Sequence, residues 1–196
     1  MQLYEKYKTL FNSYHVNTPL RIAHFMAQAE AESGLEPKRE DVYYKSITAA
    51  RAAFQTPFKG KSDIFVASYL RNSQKMANYV YANRNGNGNE ASGDGFEFRG
   101  GGIFQNTFRN GYLLLAKDTR IDFYNHPELI EQEANAVIAA LSYWGKNGLN
   151  ILADKDDLDA ISDKINIGHV TEKEGDANGF AHRKEFLKKW KKQLGI

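Results

Sequence analysis

The chain has 196 residues, 42% of them hydrophobic and 13% aromatic, with 26 Lys and Arg against 24 Asp and Glu. That is enough apolar material for a folded core, which excludes a disordered chain, and the near-neutral balance lacks the basic footprint of a nucleic-acid binder. Zero cysteine removes disulfides, thiol nucleophiles and thiolate metal sites, and no apolar run approaches the roughly 20 residues of a spanning helix, so stable membrane insertion is not expected.

The opening MQLYEKYKTLF carries charges where a secretory leader needs an apolar stretch, so the chain is expected to be made in the cytoplasm without a signal peptide. Thr18-Pro19 then reads as a helix start, a capping hydroxyl followed by proline at the first helical position. Leu20, Ile22, Phe25, Met26 and Ala29 recur at helical spacing until Gly34. Further helical patterns cover 46–56, 62–82, 127–145, 157–165 and 175–193. Strand signal is confined to short pieces near FEFRGGGIF. No repeat, Pro-rich linker or low-complexity tail appears, so residues 1–196 are expected to form one domain without a separate binding module, as a monomer.

Seven glycines fall between residues 86 and 102, within NRNGNGNEASGDGFEFRGGGIFQNT. Glycine is entropically costly in a fold, so the density calls for a flexible linker or for backbone in special geometry. The run that follows is apolar and aromatic, which favours a loop inside one domain. Asn83, Asn85, Asn87, Gly88 and Asp94 coincide with positions of a calcium loop, yet the site would be weakly charged. A turn-rich loop of asparagines and glycines in left-handed backbone is the preferred reading.

No GxSxG elbow, GxxxxGK phosphate loop or HExxH pair occurs, and His15, His24, His126, His169 and His182 never fall at ligand spacing. Neither a metal nor a cofactor is expected. Carboxylate chemistry remains, and QAEAESG supplies it. At 100° per residue Glu32 lies roughly 20° from Phe25, on the flank of the apolar stripe, where a carboxyl is partly desolvated. Glu30 flanks the other side of the same stripe, so periodicity does not choose between them.

The succession Phe25-Met26-Ala27-Gln28, Glu32-Ser33-Gly34, Glu40 followed by Tyr43-Tyr44, the asparagine and glycine loop, Phe98-Arg99-Gly100 with Gly102, Gln105 and Thr107, and Ile165-Asn166 with Gly168 resembles the family 19 glycoside hydrolases. Within that family it is most similar to the lysozyme-type branch of bacteriophage endolysins and related bacterial cell-wall hydrolases. The likeness runs from about residue 18 to 190. It implies a mainly α, lysozyme-like, two-lobed α+β fold with a substrate groove and very little strand.

The resemblance also assigns roles. Glu32 falls at the general acid and Glu40 at the base that activates water, an inverting pair. Glu36 and Asp41 crowd the same segment and remain alternatives for the base. Gln105, Thr107, Asn166, Arg183, Tyr44 and Arg99 fall among the residues that bind substrate. RGGGIFQNT would form a wall of the groove where backbone approaches the sugar, with Phe96 or Phe98 available to stack on sugar faces or to pack in the core. Ala31 stands where the family usually has histidine, Gly101 where it has arginine, and Gly111 where it has asparagine. The implied substrate is peptidoglycan, reached by the enzyme of a lysing phage through a separate pore; a chitinase and a non-catalytic glycan-binding descendant are the alternatives. The terminal HRKEFLKKWKKQLGI carries six Lys or Arg in fifteen residues. It reads as a closing helix that docks Phe186, Leu187, Trp190 and Leu194 with its lysines in solvent, in preference to an envelope-attracting helix.

Overall fold

In the computed structural model, which describes residues 1–196, the Thr18-Pro19 signal starts the helix it predicts. The Thr18 hydroxyl accepts from Arg21 N at 3.3 Å, the helix runs Pro19–Ser33, and Gly34 ends it in left-handed backbone at φ 69°. The fold as a whole is mainly α with very little strand, as the sequence implied. Its one sheet pairs two dipeptides, Lys38–Arg39 and Gly101–Gly102.

The chain divides into two compact units. The first contains residues 1–38, 102–105 and 130–196. Its core centres on Phe25, whose ring lies 4.9 Å from Phe11, 5.3 Å from Phe104 and 5.3 Å from Trp144. The helices Pro19–Ser33 and Phe180–Leu194 pack on one another. Leu187 and Trp190 of the second are buried in this core, with Phe186 and Leu194 packed against it, so the terminal helix docks as expected. Not all its cations are solvated, however: Lys189 pairs with Glu30 at 2.5 Å, Lys191 pairs with Asp156, and Arg183 is buried.

The second unit contains residues 39–101 and 106–129. It is built from short helices, Ile47–Ala53, Gln55–Phe58, Asp63–Ala67, Ser73–Val80, Asp94–Glu97 and Arg109–Thr119, around Phe58, Val66, Met76 and Val80. Two predicted helices are therefore broken. The 46–56 pattern stops at Phe54, whose ring meets Tyr44 at 5.5 Å and Tyr81 at 6.0 Å. The 62–82 pattern is interrupted between Ala67 and Ser73, where Arg71 turns left-handed at φ 58° so that its N–H reaches Tyr44 O at 2.9 Å. Likewise 127–145 begins as a 3-10 turn, Pro127–Glu131, ahead of Glu133–Lys146, and 175–193 starts only after Gly179. The helices Gln2–Lys6, Lys8–Ser13, Arg109–Thr119 and Leu149–Asp154 lie outside the helical patterns of the sequence.

One buried group of the first unit makes a pH prediction. His24 is fully enclosed; its Nε2 lies 2.7 Å from Asp156 Oδ1 and its Nδ1 has no partner. Burial pulls the imidazole below its ordinary 6.5, overriding the neighbouring Asp156 charge, so the ring is neutral in the fold. An unfolded chain takes up that proton as pH falls through about 6.5, while the folded ring waits for a lower pH. Stability contributed by the neutral ring is thus present above 6.5 and declines below it. Histidine NMR should show the His24 ring titrating below 6.5; a ring titrating at or above 6.5 in the folded protein contradicts this.

Candidate active site

In the first unit Glu32 sits in the last turn of Pro19–Ser33, its side chain 15% exposed. Arg183, in the first turn of Phe180–Leu194 and only 3% exposed, donates from Nη2 to Glu32 Oε1 at 2.5 Å. The rest of the guanidinium is fixed from within: Nη1 donates to Gln28 Oε1 and Nε to Asn178 O at 3.0 Å. Gln28, one turn before Glu32 and fully buried, donates in turn to Ser162 Oγ at 3.0 Å. Asn166 accepts the Asn178 N–H at 2.8 Å, so Asn178 ties it to Arg183. Glu32, Arg183 and Asn166 therefore belong to one hydrogen-bonded set. Burial, and then the Glu32 charge, hold the Tyr143 phenol above its ordinary value, which places that ring in the same neighbourhood.

The two helix-edge glutamates have different partners. Glu30 accepts from Lys189 Nζ at 2.5 Å and from Trp190 Nε1 at 2.7 Å, which ties it to the docking of the terminal helix. Gln105, in left-handed backbone at φ 48°, donates to Gly102 O at 2.8 Å and Lys38 O at 3.3 Å.

In the second unit Glu40 is half-buried. Tyr81 Oη lies 2.7 Å from each of its carboxylate oxygens, and the Gly100 N–H is directed at Oε2 from 3.4 Å. Its backbone is fixed on both sides, N–H to Gly100 O at 2.8 Å and C=O from Arg99 Nε at 3.1 Å. Arg99 therefore holds the Glu40 main chain, lies over the Phe96 ring at 3.9 Å and donates to Phe96 O at 2.7 Å. Burial pushes the Tyr44 phenol up, with the Glu40 and Asp41 charges adding to it, so Tyr44 is near Glu40. Thr107 is half-buried, between the Gly101–Asn106 pairing and Phe108. Of the other carboxylates, Glu36 lies in the first unit, mostly exposed and 3.6 Å from Lys38. Asp41 accepts from Tyr43 N at 3.0 Å in a local turn and from the distant Ser73 Oγ at 3.3 Å.

Several expectations for the glycine region change. Gly101 and Gly102 are buried, and Gly101 closes a tight turn on Asn106 through bonds of 3.0 and 2.8 Å; they are not an open wall. The turn sends Ile103 and Phe104 into the core of the first unit. Gly100 alone turns its amide toward a candidate residue. Phe98 is buried and stacked on Tyr124 at 6.2 Å, which removes it as a sugar platform, whereas Phe96 is only half-buried. The asparagine and glycine loop adopts the left-handed turns expected of it, at Asn83, Asn85, Gly86 and Gly93. Asp94 is buried against Arg109, with bonds of 2.5 and 3.0 Å, so the carboxylate of the calcium-like pattern already faces a fixed cation. Asn87 donates to Tyr81 O at 3.0 Å and accepts from Arg109 N at 2.9 Å. The loop thus pins the main chain of Tyr81.

No protein-family model matches the chain. The chain is mainly α, and Glu32 and Glu40 are each half-buried and held by donors. Over 151 residues it is 32% identical to a glycosyl hydrolase family 19 domain-containing protein of Haemophilus influenzae, an alignment covering 74% of this chain and 70% of that relative. The chain belongs to glycosyl hydrolase family 19.

Proposed function

We propose that the protein cleaves the β-1,4 linkage between N-acetylmuramic acid and N-acetylglucosamine in peptidoglycan, by a single inverting displacement. Glu32 gives its proton to the leaving glycosidic oxygen, and Glu40 takes a proton from the water that attacks the anomeric carbon from the other face of the sugar. The turnover leaves Glu32 ionised and Glu40 protonated, and exchange with solvent resets both. The observation that carries the reading is that both carboxylates are half-buried and specifically held, Glu32 by Arg183 and Glu40 by Tyr81 and Gly100. As Glu32 loses its proton, the carboxylate that forms already faces the Arg183 guanidinium, so charge developing in the transition state meets a fixed opposite charge. The donors around Glu40, with Glu36 exposed and Asp41 tied in a turn, favour Glu40 as the base.

Peptidoglycan in preference to chitin is supported by the motif succession from Phe25 to Gly168. The test is turbidity loss of outer-membrane-permeabilised bacteria, run beside release of oligomers from colloidal chitin. Rapid clearing with little chitin release is the expected outcome. Chitin release without clearing would make the enzyme a chitinase, and neither activity would leave a glycan-binding descendant of the fold.

A further inference from the structure

Tyr81 directly follows the Ser73–Val80 helix and is 9% exposed. Its ring is wedged edge-on between Phe54 at 6.0 Å and Phe108 at 5.5 Å, and its carbonyl is held by Asn87. Ring and main chain are both fixed, so the phenol has one place to point. There it meets both oxygens of Glu40 at 2.7 Å, and it is the only side-chain donor to that carboxylate. A phenol carries one proton, so the bond is shared between the two oxygens and fixes the plane of the carboxylate. The remaining lone pairs are left for a water.

We propose that Tyr81 is the positioning residue of Glu40, holding its carboxylate in the orientation from which it draws a proton from water. This rests on the reading of Glu40 as the base. Other charged or titratable groups around the pair are Arg99 on the Glu40 main chain, Tyr44 and Asp41 beside the carboxylate, and Arg84 near the Tyr81 ring. Burial first, then the Glu40 charge, push the Tyr81 phenol far above its ordinary value, so it remains a donor throughout the working pH range. Being enclosed, it has no direct access to substrate.

The test is Tyr81→Phe, which keeps both ring contacts and removes one hydroxyl. The expected result is a kcat lowered roughly ten- to a hundredfold, the worth of one hydrogen bond to a charged group, with KM unchanged. The acidic limb of the rate profile should move to higher pH, because the ionised base has lost its donor, a shift that a purely structural role does not produce. If Tyr81→Phe does not fold, 3-fluorotyrosine placed at position 81 keeps the shape and strengthens the donor, and the acidic limb should move to lower pH. An active Glu40→Ala enzyme would overturn the base reading and this inference together. An inactive Glu40→Ala beside a Tyr81→Phe, or a fluorotyrosine enzyme, with unchanged rate and limb would overturn this inference alone.

Discussion

Replacing Glu32 by glutamine should leave a folded protein whose lytic rate is lower by at least a hundred- to ten-thousandfold. The amide has the shape of the acid but no proton to give, and positioned proton transfer to a leaving group accounts for about that factor. Arg183 makes the substitution structurally tolerable. Its guanidinium keeps the Gln28 and Asn178 acceptors, and the glutamine oxygen still accepts from Nη2. Some stability is lost, about 1–2 kcal/mol, because the buried Arg183 now donates to a neutral amide oxygen. The rate should therefore be measured well below the lowered melting temperature. Wild-type clearing of permeabilised cells by a folded Glu32→Gln enzyme would remove Glu32 from the acid role. Glu30→Gln is the matched control: it should keep activity and lose stability, since Glu30 serves the terminal helix through Lys189 and Trp190.

Replacing Glu40 by alanine should abolish turnover in water and allow partial recovery with azide. The structure gives a reason for the recovery beyond the vacated volume. The Tyr81 hydroxyl and the Gly100 amide, which are directed at the carboxylate in the native protein, remain as donors when it is removed. A small anion in that space satisfies them, and an unpaired buried donor otherwise costs about 1–3 kcal/mol. Azide at Glu40→Ala needs no base, because it attacks without giving up a proton, while Glu32 still protonates the leaving oxygen. The same additive should do nothing for Glu32→Ala on natural substrate. The wild-type rate should be bell-shaped in pH, and Glu40→Ala with azide should lose the acidic limb, which reports ionisation of the base. Near wild-type activity with an unchanged bell in Glu40→Ala would transfer the role to Glu36 or Asp41.

What the sequence disclosed, and what it concealed, follows the range of the forces involved. The Pro19–Ser33 helix was legible because its start and stop are local: a hydroxyl cap, a proline and a glycine within one segment. The break at Phe54 and the turn at Arg71 were not, because they are set by contacts with Tyr44 and Tyr81 that helical periodicity does not register. Glu30 and Glu32 occupy equivalent flanks of one stripe, and their different partners come from a helix some 150 residues later, which sets Lys189 and Trp190 on one and Arg183 on the other. Gln28 stood in the recognised motif with no role, which appears only once Arg183 is seen to share it with Glu32. Tyr81 lies 41 residues from Glu40 and carried no signal at all. Between the two readings of Phe98, sugar platform or core, the core holds: Tyr112 and Tyr124 pack against its ring.

The pairing of an acid at Glu32 with a water-activating base at Glu40 is tested most directly by the stereochemistry of the wild-type reaction. Purified sacculi are digested for a time short against mutarotation, and the new reducing ends are read by proton NMR. Single displacement by water predicts that the first ends appear in the α configuration and only later equilibrate with β. First-formed β ends would mean a covalent intermediate or a retaining water, and would contradict Glu40 as the base of an inverting enzyme.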